Sequence, residues 1–184
     1  MSVRAWAMPL ESREKLIQAA IEAKEGSYSP YSKFRVGAAL LTPSGEIIKG
    51  ANIENASYGT VVFHYLTRST AYITVTMTAL GGTICAERTA IVKAASEGKR
   101  SFIGLAVTTD VKTTISPCGI CRQVIREFCS LDMPVLLVPA DYPQPTKPGE
   151  VIKPGYSEGG IRETTLGELL PDSFGPEDLE LPRS

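Results

Sequence analysis

Apolar residues recur with a helical period in some stretches of this chain and cluster in short runs in others. Between residues 12 and 25, Leu16, Ile17, Ala20 and Ile21 share one face and Gly26 supplies a stop, which predicts an amphipathic helix. Val36–Leu41 is a short apolar run, and Pro43-Ser44-Gly45 turns it into residues 46–53, so a hairpin is expected. A second helix is predicted from about Cys85, with Ala90, Ile91, Ala94 and Ala95 facing inward and Gly98 ending it. Residues 102–107 follow as a buried strand. Ser116 then reads as an N-cap with Pro117 at the first helical position, and the helix behind it buries Ile120, Val124, Ile125 and Phe128. Residues 135–138 form another strand, 141–160 a Pro- and Gly-rich surface loop, and 165–170 a helix leading into a tail over 171–184. Strands alternating with helices imply a layered α/β domain.

Length and charge narrow the classes of function. The 184 residues suffice for one domain with a full core, so 1–184 is read as a single domain. Apolar residues make up 43% and charged residues 21%, an ordinary globular balance. A net charge of −1 leaves no electrostatic footprint for nucleic acid, and the expected partner is a small molecule. Residues 1–15 carry five charges and no apolar core of signal-peptide length, and no run reaches transmembrane length, so a cytoplasmic location away from membranes is expected.

In a reducing compartment, clustered cysteines more often bind metal than pair. Cys85, Cys118 and Cys121 fall at predicted helix starts, where free backbone N–H groups and the positive end of the helix dipole favour thiolates. Three protein ligands leave a fourth position for water, the pattern of a catalytic Zn²⁺. Cys129 lies about 12 Å beyond Cys121 at 1.5 Å per helical residue and is read as a packing cysteine. Glu87, two residues after Cys85, is placed to take a proton from zinc-bound water and pass it to a substrate. Arg88 is placed to offset the charge of three thiolates by donating to sulfur. The combination is the three-cysteine form of the zinc deaminase signature.

Five segments carry a wider resemblance: SPYSKFRVGAALL over 29–41, NIENASY over 52–58, TICAERTA over 83–90, SPCGICRQV over 116–124 and LLPDSFGPEDL over 169–179. Together they resemble the homotetrameric zinc-dependent cytidine deaminases. The resemblance implies a three-layer α/β/α domain with a mixed central sheet and hydrolytic deamination of cytidine and 2′-deoxycytidine in pyrimidine salvage. It implies that Cys85, Cys118 and Cys121 hold zinc and that Glu87 shuttles protons to ring nitrogen and leaving ammonia. Asn52 and Glu54 would bind ribose hydroxyls, Phe34 would pack on the pyrimidine, and Ala86 would meet the base through its backbone. Phe174 would close a neighbouring subunit's pocket, and Tyr31 and Tyr58 would lie near the site and the interface. Related alternatives are a deaminase of an antibiotic nucleoside such as blasticidin S and a zinc-binding but inactive oligomerisation module.

The pattern is interrupted twice, within 141–160, far from every motif, and near its centre. About 22 residues, 60–81, separate Gly59 from Gly82, where the family runs almost straight through. The segment lacks Asp, Glu and Lys, and residues 72–79 alternate apolar and polar, which suits a hairpin turning at 67–70. Three readings stand: a surface hairpin, a specificity lid carrying His64 (the only histidine), or a retained intron translated in frame.

Overall fold

The computed structural model describes residues 8–56, 58–64, 74–80, 82–145, 149, 151–180 and 182; for 58–64 and 74–80 only the backbone is described. Helix α1 spans Leu10–Lys24 and closes at Glu25 and Gly26. Strands β1 (Val36–Leu41) and β2 (Ile47–Ala51) form the expected antiparallel hairpin, with Gly45 at φ +86° in the turn. The second strand stops short of the predicted residue 53. Beyond Ala51 the chain is captured by other partners, Asn52 N–H donating to Val36 and Ile53 N–H to Ile84.

Strands β3 (Tyr58–His64) and β4 (Thr74–Leu80) pair antiparallel in a separate two-stranded sheet, from Tyr58 against Leu80 to His64 against Thr74. The anticipated turn at 67–70 lies outside the described residues. Helix α2 (Ala86–Ser96) follows, stopped at Gly98, then β5 (Gly104–Thr109), helix α3 (Gly119–Phe128), β6 (Pro134–Val138), β7 (Arg162–Thr165) and the short helix α4 (Leu166–Leu169). Thr165 and Glu168 cap α4 reciprocally, and Pro176–Leu179 forms a 3₁₀ turn in the tail.

The main sheet has the order β2-β1-β5-β6-β7. Only β5 and β6 run parallel, which requires a crossover, here α3; the other neighbours are antiparallel. Alternate residues of the inner strands serve opposite faces. Leu40, Leu105, Val107, Val135 and Leu137 pack with Ala90, Ile91 and Ala94 of α2 and Ile125 of α3. Leu41, Ala106, Leu136 and Val138 pack with Leu16, Ile17 and Ala20 of α1. The result is a three-layer α/β/α domain with a mixed sheet. Each fully buried Leu or Ile contributes about 1.5–3 kcal/mol.

Two strand glycines set how near the helices come. A Cβ on Gly37 would lie 2.2 Å from Ala20 O of α1, and one on Gly50 would lie 2.4 Å from Ala90 N and 2.5 Å from Ala86 O of α2. Those atoms are helix backbone and cannot swing away. Gly50 therefore lets α2, and the residues at its start, sit directly on β2.

Two sequence expectations for α3 are corrected. The helix begins after Cys118, not at Pro117, because Arg122 claims the earlier groups: its guanidinium donates to Ser116 Oγ and Pro117 O. The buried face also differs. Ile125 is buried and Val124 and Phe128 partly so, but Ile120 is 65% exposed while Cys121 and Arg126 turn inward. No described helix is long and apolar enough to cross a membrane.

Candidate active site

Cys85 and Cys118 are the N-cap residues of α2 and α3, and Cys121 lies in the first turn of α3. The three Sγ atoms lie within 4.8 Å of one another, with Cys85–Cys118 at 3.9 Å and Cys118–Cys121 at 3.4 Å. Sulfurs bound tetrahedrally at about 2.3 Å from one ion stand about 3.8 Å apart, so these residues fit Zn²⁺ in both donor type and spacing. All four cysteines are free thiols. Cys129, at the far end of α3, stays outside the cluster in the core, where burial pushes its thiol up to about 12.

The charges around the thiols are arranged for use. Hydrogen bonds from Cys121 and Arg88 lower Cys85 to about 5, despite the opposing effect of burial. Cys121 is pushed the other way, by the hydrogen bond to Cys85 and by burial. Arg88 Nη2 lies 3.7 Å from Cys85 Sγ and donates to Thr83 O at 2.9 Å, so the guanidinium ties the cysteine to the segment before it. Glu87 is only 3% exposed and accepts from Cys121 Sγ at 3.8 Å. Burial raises its carboxyl to about 7, which poises it between proton donor and acceptor near neutral pH. Ala86 is fully buried at the first position of α2.

Asn52 and Glu54 sit on one face of an extended segment, with Ile53 pointing the other way. Ile53 and Ile84 exchange both backbone hydrogen bonds at 2.9 Å, which brings this segment alongside the residue before Cys85. Asn52 Oδ1 accepts from Ser27 Oγ at 2.6 Å and Val36 N at 2.8 Å, and Nδ2 donates to Phe34 O at 2.9 Å. Glu54 Oε2 accepts from Tyr31 N and Ser32 N at 3.0 and 3.2 Å, and Oε1 accepts from the Ser32 hydroxyl. Burial works to raise Glu54, but these bonds and the charge of Lys33 outweigh it and hold the carboxyl below its ordinary value. Among the described residues each side chain keeps one capacity in reserve: one N–H on Asn52 and one lone pair on Glu54 Oε1. A hydroxyl that accepts from the first and donates to the second would satisfy both.

The remaining expected residues are more dispersed. Phe34 is half-buried, its carbonyl held by Asn52. Tyr31 is 45% exposed, and Tyr58 lies in β3 with only its backbone described. Phe174 is 58% exposed, and its carbonyl accepts from Gln123 Nε2 at 2.9 Å, on α3 beyond the thiols. Three participants escape a reading of sequence alone: Ser27 and Ser32, which orient Asn52 and Glu54, and Arg122. The only advance signal for Arg122 is its place directly after Cys121.

A cavity of about 470 Å³ lies elsewhere, between residues 112–114 and the 141–160 loop, with Lys112, Gln144, Ile152, Lys153 and Tyr156 in its wall. Among its described lining residues there is no thiol or carboxylate, so the donor set and not the volume locates the chemistry.

Comparison with known proteins agrees with this geometry. Residues 10–137 match the cytidine and deoxycytidylate deaminase zinc-binding region. A cytidine deaminase from Halalkalibacterium halodurans is 43% identical over 167 residues, 91% of this chain and 97% of that protein. A probable cytidine deaminase from Dictyostelium discoideum is 44% identical over 173 residues, 94% of this chain and 90% of that protein. Among solved structures, the Burkholderia pseudomallei cytidine deaminase superposes with a TM-score of 0.65 at 34% identity, covering 91% of this chain and 100% of that one. Matched over most of its length in both sequence and fold, the chain belongs to the cytidine and deoxycytidylate deaminase zinc-binding family.

Proposed function

We propose that this chain catalyses the hydrolytic deamination of cytidine and 2′-deoxycytidine to uridine and 2′-deoxyuridine. The observation that carries the reading is the buried Glu87 carboxyl 3.8 Å from a cluster of three thiols at two helix starts. Cys85, Cys118 and Cys121 would hold Zn²⁺, which when bound supplies a Lewis acid that lowers the pKa of water. The chain's own residues do the rest. Glu87 takes a proton from the attacking water and gives it to the ring nitrogen beside the amino-bearing carbon, then takes the remaining proton of the added hydroxyl and gives it to the departing amine as the new C=O forms and the C–N bond breaks. Water and cytidine thus become uridine and ammonia, with Glu87 restored to its starting state.

Arg88 moderates the negative charge of the thiolates. The backbone at Ala86 meets the base, Phe34 packs on its ring, and Asn52 and Glu54 bracket a ribose hydroxyl with the one donor and one acceptor left to them. The expected setting is the cytoplasm, in pyrimidine salvage.

We read the chain as one catalytic domain working as a homotetramer, with Phe174 closing a neighbour's pocket. Exposed Phe174, Ile120, Ile84 and Ile53, at 58, 65, 41 and 39%, supply apolar surface for such an assembly. We read 60–81 as a retained intron translated in frame, since matching segments flank it on both sides. Sequencing the transcript tests this, and a spliced message that still encodes 60–81 sinks it.

Glu87→Gln tests the chemistry. It keeps shape and loses proton transfer, so kcat for cytidine should fall by about 10²–10⁴-fold or more while zinc stays bound. A near-wild-type rate would remove Glu87 from the reaction.

A further inference from the structure

Arg122 makes three hydrogen bonds, and their acceptors come from two different parts of the fold. Nε donates to Pro117 O at 2.7 Å, Nη2 to Ser116 Oγ at 2.7 Å, and Nη1 to Leu169 O at 2.6 Å. The first two acceptors belong to the loop that delivers Cys118. The third is the last residue of α4, about fifty positions away in sequence. All three are neutral, and Arg122 forms no ion pair among the described residues.

That pattern is unusual for a part-buried guanidinium, whose ordinary partner is a carboxylate. It makes sense if the rigid fork serves as a spacer. Cys118 is exposed and its N-cap position has no side-chain cap, so neither burial nor a cap fixes it. The residues ahead of it, 110–116, lie in no helix or strand. Leu169, by contrast, is anchored: its side chain is in the main core cluster, α4 is capped at Thr165, and Gly167 N–H donates to Leu131 O at 2.7 Å.

We infer that Arg122 is a positioning residue for the metal centre. It bolts the Ser116–Pro117 peptide, and so Cys118, to the C-terminal helix α4. Metal retention therefore depends on a contact between the zinc loop and a part of the chain that supplies no ligand. The inference rests on the zinc reading above.

Arg126 provides the internal control. It lies one turn further along α3 and also reaches the C-terminal segment, donating to Ser173 Oγ at 3.3 Å and pairing with Glu177. Among the described residues it makes no hydrogen bond or ion pair with residues 116–118. The two arginines thus tie the same helix to the same end of the chain, and only one of them passes through the metal loop.

The experiment measures zinc content by mass spectrometry and the rate of zinc loss to a chromogenic chelator, on purified full-length protein, beside thermal unfolding. Arg122→Ala should speed zinc loss by about 10- to 100-fold, the usual scale for groups that hold ligands in place. Arg126→Ala should lower the unfolding temperature with zinc loss within about threefold of wild type. Arg122→Lys keeps the charge, but one Nζ cannot span three acceptors, so it should behave like Arg122→Ala; it also serves if the alanine variant does not fold.

Wild-type zinc retention in Arg122→Ala, or equal release from Arg122→Ala and Arg126→Ala, would overturn the inference. Full retention in Arg122→Lys would overturn the bridging role in favour of charge alone. A wild-type protein that binds no zinc defeats the underlying reading, and this one with it.

Discussion

The two halves of the thiol cluster reach the same place by different physical means. Cys85 arrives on backbone. The residue before it pairs with Ile53 in both directions, and the helix it caps lies against Gly50 with no room for even a methyl group. Cys118 arrives on a side chain, through the fork of Arg122, while Cys121 is carried in buried on the first turn of α3. The backbone route spreads its load over many atoms, but it admits no added volume at the glycine. The side-chain route tolerates volume, and one substitution removes it. A metal centre assembled from both kinds of support can therefore be opened from either side, with different signatures.

The largest effect is expected on the backbone side. Gly50→Ala places a Cβ against Ala90 N and Ala86 O, so α2 has to lift, and Cys85 and Glu87 lift with it. Overpacking of this kind costs about 1–3 kcal/mol. The matching control is Gly37→Ala, which drives a Cβ into Ala20 O and Lys24 N of α1, on the opposite face of the sheet. Both variants should shift the urea midpoint by similar amounts, but only Gly50→Ala should lose zinc from its folded fraction. Equal zinc loss in the two would mean that metal binding follows overall stability and not the seating of α2.

Much of this was legible in residue order, and the exceptions share a cause. Val36–Leu41 is legible as a strand because its signal is local, and the three cysteines announce a zinc site by type and spacing. Ser116 is not the cap its local pattern predicts because its hydroxyl accepts from Arg122, a tertiary partner that local pattern does not reveal. Periodicity predicts a buried Ile120 because it specifies an apolar stripe, whereas the neighbours decide which part of the stripe is covered, and Ile120 is left exposed. Nothing in the residue order marks Gly50, since its role depends on a helix some forty positions on. Asn52 and Glu54 are singled out by the family resemblance, but the partners that orient them, Ser27 and Ser32, sit in a loop with no periodicity to mark them.

The smallest expected effect comes from the largest change. Residues 60–81 lie within the excursion that leaves the site after Ile53 and returns at Ile84, and its described strands pair with each other and not with the main sheet. Deleting 60–81 joins Gly59 to Gly82 and shortens the connection between the paired isoleucines from about 30 residues to about 8. By loop-closure entropy alone, that stabilises the fold by about 1 kcal/mol. The Ile53–Ile84 pair, Gly50 and Arg122 are untouched. Zinc content and the rate of zinc loss should therefore match the full chain, while turnover and subunit assembly, followed by cytidine hydrolysis and sedimentation, are free to rise. Loss of zinc on deletion would show that the excursion itself holds Cys85 in place. The backbone half of the site would then be no more self-sufficient than the half that depends on Arg122.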